Sequence, residues 1–163
     1  MLVYRASRKP QRDFDPLDAA PSVRGGGWRY NDPNTPILYA ASVQSLAILE
    51  VAARPGWHLL KEVVVATIEV PDGTIADLHD LRITLPTNWN MRPAAPEARS
   101  IGREFLAAVD REAAAGRTVC GVRVPSVLAT ADMNLLLDPR QQASDRVVSW
   151  VRIPFAWLLE AAT

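Results

Sequence analysis

The chain has 163 residues, 48% hydrophobic and 22% charged, which suits one domain with a sizeable core and is too short for two ordinary ones. Eighteen Lys and Arg balance eighteen Asp and Glu with no basic run, so nothing favours nucleic acid or an anionic membrane as a direct partner. No segment approaches the ~18 apolar residues of a membrane span, the start MLVYRAS lacks the layout of a signal peptide, and the lone Cys120 excludes an internal disulfide; a cytoplasmic location is expected.

In chain order, Met1 to Ala6 reads as a short strand carrying Tyr4 and Arg5, followed by a polar, proline-containing loop from Ser7 to Arg24. Gly25 to Gly27 then allow close backbone approach or positive φ, and NDPNTP from Asn31 to Pro36 is turn chemistry. Ile37 to Ala41 reads as a strand and Ser42 to Arg54 as a helix with Ser42 as its N-cap, closed by Pro55-Gly56. The β-branched run Glu62 to Val70 is a strand ended by a Pro-Asp-Gly turn, and a further short strand is expected near Ile75 to Leu78. A helix starts at Pro96 or Glu97 and runs to about Ala115, with Gly116 at its C-cap and Ile101, Phe105, Ala108, Val109 and Glu112 on one face. Val119 to Val124 is a strand leading to Pro125-Ser126. Asn134 to Arg140 reads as a loop, Val147 to Ile153 as a final strand, and Phe155 to Ala162 as a short helix or strand. Roughly six strands and two or three helices that do not alternate cleanly favour an α+β fold.

Glu50 stands out in this pattern. At about 100° per residue, Val43, Leu46, Glu50 and Ala53 lie within about 80° of one another on the helix, which places a carboxylate among apolar residues. Such a group needs either a partner, most simply an arginine such as Arg5, or a chemical task.

Several chemistries lack their residues. His58 and His79 have no Cys/His cluster beside them, and His79 with Asp77 and Asp80 reads better as a solvated turn than as a metal site. There is no G-x-S-x-G elbow, no G-x-G-x-x-G, no P-loop and no evident pair of glycosidase carboxylates. The remaining polar residues at element ends are Arg5, Arg29, Tyr39, Glu50 and Ser126. Arginine is a natural partner for pyrophosphate, an aromatic ring can stack on a planar cation, and a carboxylate can stabilise an oxocarbenium ion. Together they suit cleavage of a nucleotide N-glycosidic bond.

Five blocks in order resemble the RES-domain toxins of bacterial toxin–antitoxin pairs. These are Tyr4-Arg5, the glycine-rich loop from Gly25 to Asn31, Pro36 to Glu50, Val124-Pro125-Ser126, and Asn134 to Pro139. The resemblance covers nearly the whole chain as one RES domain and implies a fold similar to ADP-ribosyltransferases, a split mixed β-sheet flanked by helices with an NAD cleft between the halves. It implies attack on NAD as substrate at the nicotinamide–ribose bond by water or phosphate, without a metal, or transfer of ADP-ribose to a protein. A non-catalytic nucleotide- or protein-binding member of the fold is the other alternative. By the family motif, Arg5 contacts the phosphates or ribose, Tyr39 stacks near nicotinamide, Glu50 stabilises the ribosyl cation, and Ser126 positions the ribose or Glu50. Arg29 is a further phosphate ligand, a role it shares with Arg24 as a candidate because Trp28 and Arg29 stand in the reverse of the family's usual order. The implied partner is an antitoxin with an Xre-like DNA-binding domain, in a hetero-oligomer. Gln141-Gln142 replaces a frequent His-Pro of the family, and Trp157 to Glu160 replaces its terminal Asp-x-Arg, in the region where the family binds its antitoxin or closes its cleft.

Overall fold

The computed structural model describes residues 1–24, 26–54, 61–141 and 146–154. Among these, the strands are Leu2–Ser7 (β1), Leu38–Ala41 (β2), Glu62–Glu69 (β3), Ile75–Asp77 (β4), Gly121–Pro125 (β5), Met133–Leu137 (β6) and Val147–Pro154 (β7). They join in one sheet in the order β4-β5-β6-β2-β1-β3-β7. Only β4 and β5 run parallel; every other neighbouring pair is antiparallel. The sheet is therefore mixed, as expected, and the protein is α+β.

The sheet is also split. β1 pairs with β3 along its whole length, from Leu2↔Glu69 to Ser7↔Val64, and β2 pairs with β6 from Leu38↔Leu137 to Ala41↔Asn134. Between β1 and β2 the only paired residues are Tyr4 and Ala41. Two well-laddered halves thus meet at one narrow seam, and the space beside it is open to side chains.

Strand alternation assigns the two faces. Tyr4 and Ala6 pack with α1 (Gln44–Ala52), whose Leu46, Ala47 and Val51 are buried. Val3 points the other way and packs with Leu38, Ala40, Leu135 and Leu137. A second helix, α3 (Ile101–Ala114), buries Ile101, Phe105, Ala108 and Val109 over Val122, Val124 and Leu136. These four were the apolar positions expected from the sequence; Glu112, at the edge of that face, pairs with Arg117 at 3.0 Å.

Three expectations change. The segment from Asn134 is a strand, not a loop: Leu135, Leu136 and Leu137 are each 0% exposed in the middle of the sheet, where a strand covered on both faces reads as a continuous apolar run. The helix read from Ser42 begins one residue later. Val43 holds the N-cap position without a side-chain cap, because the Ser42 amide donates to Met133 O and so belongs to the sheet. The expected helix from Pro96 is broken into α2 (Pro96–Arg99) and α3 at Ser100. There the Gly102 amide donates to Tyr30 O at 2.6 Å instead of closing a helical turn. The polar segment after β1 carries two short 3₁₀ turns, Gln11–Asp13 and Ala20–Ser22. The expectations for His58 and for Phe155 to Ala162 lie outside the described residues.

Candidate active site at the sheet seam

A cleft of about 720 Å³ opens at the seam, lined by β1, β2, α1, the loop around Trp28 and the segment after β5. That volume falls within the ~300–1,000 Å³ usual for ligand sites. Arg5, Arg29, Tyr39 and Glu50 all line it.

Glu50 lies in the last turn of α1 and is half-buried, with Val43 and Ala53 exposed on either side of it along the helix. The carboxylate is less enclosed than its periodicity implied, and it is not paired with Arg5. Its Oε1 accepts from Asn134 Nδ2 at 2.6 Å and from Ser126 Oγ at 3.1 Å. Its Oε2 has no hydrogen-bond partner among the described residues. Both donors come from the other side of the cleft, Asn134 from β6 and Ser126 from the end of β5.

Ser126, 0% exposed, performs two tasks. It donates to Glu50, and its oxygen accepts from the Leu128 and Ala129 amides at 3.1 and 3.3 Å. The turn after β5 therefore fixes the hydroxyl that fixes the carboxylate. Asn134 was not among the expected site residues. The signal was a lone amide at the head of a leucine run, and reading that run as a loop concealed which wall it would face.

Arg5 alternates away from Tyr4 and Ala6 along β1. It is 8% exposed, and it donates from Nη1 to Pro16 O at 2.6 Å and from Nη2 to Asp18 O at 2.8 Å. Its guanidinium also lies 5.8 Å from the Phe14 ring centroid. Burial lowers its pKa to about 10, against the opposing pull of Asp18 and Asp15, so it stays charged at neutral pH. Arg5 thus fastens the first long loop to the sheet while adding positive charge to the cleft wall. Arg29 is likewise engaged: its Nη1 donates to Trp89 O at 2.8 Å and Met91 O at 2.9 Å. Arg24 is exposed and does not line the cleft.

The loop preceding β2 is organised by Asn31, which sequence reasoning did not single out. Its side chain is 0% exposed. The amide donates to Ser22 O, Asp32 O and Thr35 O, and its oxygen accepts from the Trp28 amide and the Tyr39 hydroxyl. Gly27, at φ +85°, allows the chain to fold back on this residue. Tyr39 is held at both ends: its hydroxyl also accepts from the Tyr30 amide at 3.0 Å, and its ring lies 4.9 Å from that of Trp28. Burial pushes the ionisation of Tyr39 and Tyr30 well above the ordinary tyrosine range.

Trp28 carries a second contact, with the Arg54 guanidinium 4.3 Å from its ring centroid. Desolvation lowers the pKa of Arg54, Arg8 lowers it further, and Glu50 opposes both. Among the described residues no group of three His, Cys, Asp or Glu is placed to hold a metal ion, and no helix is long and apolar enough to cross a membrane. Cys120 is buried, and His79 is exposed.

Comparison with known proteins identifies the family. Residues 2–157 match the model of the RES domain. The chain is 32% identical over 127 residues to a Toxin Res of Yersinia enterocolitica, covering 77% of each chain. It is 26% identical to a Toxin Res of Photorhabdus laumondii over 93% of this chain and 90% of that one. With a protein of a Sphingobium strain named Prs ADP-ribosylating toxin it shares 34% identity, over 74% of this chain and 70% of that one. The fold is similar to a chain in the crystal structure of the Mycobacterium tuberculosis MbcT–MbcA toxin–antitoxin complex, with a TM-score of 0.69 at 18% identity, covering 99% of this chain and 89% of that one. A family model that spans almost the whole sequence and a split-sheet fold shared with a toxin–antitoxin structure lead to one conclusion: the chain belongs to the RES domain family.

Proposed function

We propose that this protein is the toxin of a bacterial toxin–antitoxin pair and that it attacks NAD at the bond between nicotinamide and ribose. The observation that carries the reading is the Glu50 carboxylate, anchored through one oxygen by Asn134 and Ser126 inside a cleft that arginines also line. As the C1′–N bond breaks, its electron pair goes to the pyridinium nitrogen, nicotinamide leaves neutral, and positive charge develops over C1′ and the ring oxygen. A fixed carboxylate stabilises that charge without reorganising, an effect whose removal typically costs about 10²–10³ in rate. Water, phosphate or a protein side chain then captures the ribosyl cation. Tyr39 and Trp28 supply an aromatic wall for the nicotinamide, Arg5 and Arg29 supply positive charge toward the phosphates, and Ser126 acts through Glu50.

Transfer of ADP-ribose to a protein is the second reading of the same chemistry, favoured by the name of the Sphingobium relative, an ADP-ribosylating toxin. The toxin–antitoxin complex of the structural neighbour supports an antitoxin partner, for which we propose a DNA-binding domain of the Xre-like type and a hetero-oligomeric complex acting in the cytoplasm.

The test is nicotinamide release from NAD by purified, antitoxin-free protein, with and without phosphate. Rapid release that Glu50→Gln removes supports the reading, and its phosphate dependence names the acceptor. A folded protein that releases no nicotinamide, and incorporates no label from NAD into lysate proteins, would overturn it.

A further inference from the structure

The arginines expected to bind phosphate are already committed to backbone carbonyls, Arg5 to those of Pro16 and Asp18 and Arg29 to those of Trp89 and Met91. Arg54 differs from both. It lines the same cleft, it is exposed, and no hydrogen-bond acceptor or ion pair engages its guanidinium among the described residues. Its one described contact is the Trp28 ring, 4.3 Å from the guanidinium carbon to the centroid. That seat orients a long, flexible side chain without consuming any of its N–H donors. Arg54 also stands four residues after Glu50, just past the end of α1, and lines the same cleft as the carboxylate. A cation at a helix C-terminus complements the dipole, but that role alone does not require a seat on an indole inside the cleft.

We propose that Arg54, held on Trp28, is a direct phosphate ligand of the cleft, to which the carbonyl-bound Arg5 and Arg29 add only charge, and takes a phosphate of a dinucleotide whose ribose faces Glu50. This rests on the reading of the cleft as a dinucleotide site. The planar fork offers two parallel donors to a phosphate, a geometry lysine does not reproduce. Trp28 is then a positioning residue for the arginine as well as part of the aromatic wall.

The test is calorimetric titration of ADP, which carries a pyrophosphate but no nicotinamide bond to cleave, with adenosine as the phosphate-free control. Arg54→Ala should weaken ADP binding about ten- to hundredfold, the scale of one charge-assisted hydrogen-bonded pair, and leave adenosine unchanged. Arg54→Lys should recover only part of the loss, and the KM for NAD should rise in both variants with little change in kcat. Absence of ADP binding by the unmodified protein, or unchanged ADP affinity in Arg54→Ala, overturns the assignment. Arg54-dependent ADP binding in a protein that leaves NAD intact would uphold the assignment while removing the proposed reaction. NAD cleavage with an unchanged KM in Arg54→Ala would remove the assignment alone.

Discussion

Asn134 and Glu50 are 84 residues apart in sequence, and their side chains meet at 2.6 Å across the cleft. Of the carboxylate's two held contacts this is the shorter, and Asn134 has no second task comparable to the turn-fixing role of Ser126. A hydrogen bond to a charged group contributes about 1.5–3 kcal/mol, or roughly 10- to 100-fold in rate if it serves only to aim the carboxylate. Asn134→Ala is therefore expected to lower kcat for NAD by that factor and to lower the melting temperature less than Ser126→Ala does. Ser126→Ala should lower both, because the Leu128 and Ala129 amides lose their acceptor as well. Parallel assays of nicotinamide release and thermal unfolding on the two variants separate the effects.

Arg5→Ala should fail differently from Glu50→Gln. Removing the guanidinium strands the Pro16 and Asp18 carbonyls on the covered face of β1. At about 1–3 kcal/mol for the buried Pro16 carbonyl and about 1 kcal/mol for the part-buried Asp18 carbonyl, a loss of roughly 2–4 kcal/mol is expected. That corresponds to a melting temperature lower by about 5–15 °C for a chain of this size. Glu50→Gln keeps the shape of the side chain and should melt within a few degrees of the parent. Differential scanning calorimetry of both variants decides the matter; equal and large losses would contradict this division of roles.

What the sequence disclosed and what it withheld follow one distinction. Elements specified by local signals were legible: the β-branched run of β3, the apolar face of α3 and the strand-to-helix passage into Glu50. The split mixed sheet was legible only through the ordered family blocks. Relationships between distant segments were not legible from the residues themselves. Asn134 is the second residue of a strand that Asp138-Pro139 made resemble a loop, because proline punctuation is local whereas burial of Leu135 to Leu137 depends on neighbours on both sides. Pairing Glu50 with Arg5 was a reasonable demand of charge, but strand alternation sends the arginine away from Tyr4 and Ala6, which face α1. Asn31 escaped notice because a turn-rich stretch gives no sign that one amide will collect five contacts.

Two neighbouring glycines should respond unequally to the same change. Gly26 and Gly27 both have positive φ, at +94° and +85°. A Cβ on Gly26 meets nothing within 4 Å, whereas one on Gly27 would collide with the Asn31 carbonyl oxygen and the Asp32 backbone. Gly26→Ala should thus cost about 1–2 kcal/mol, from backbone conformation alone. Gly27→Ala should cost more, displace Asn31 and lower activity with stability. Denaturant unfolding gives the first comparison, and NAD turnover at a temperature where both variants are folded gives the second.

Tyr39 predicts a limb of the pH profile. Burial raises its ionisation in the folded protein above the ordinary value of about 10. Below that pH its contribution to stability is complete. Above it the unfolded chain releases the phenolic proton while the folded chain retains it, so stability falls as pH rises. Tyr30 acts in the same direction, and Arg5, whose pKa is lowered to about 10, opposes both over the same range, equally in the parent and in Tyr39→Phe, so the difference in slope between the two proteins reports Tyr39. Tyr39→Phe should be less stable at neutral pH, through loss of its bonds to Asn31 and the Tyr30 amide, yet decline less steeply between pH 10 and 11. Urea unfolding across that range measures the slope; an unchanged slope would refute the assignment.

The narrow seam at Tyr4 and Ala41 has a consequence for how the molecule can be divided. The helix bearing the acid leans chiefly on β1, in one half of the sheet, whereas the two groups that aim the acid belong to β5 and β6 in the other. Neither half holds the whole of the proposed site. A fragment containing one side would own either the carboxylate or its holders, so the proposed chemistry belongs to the joint between them and would arise only when both have folded and closed upon it.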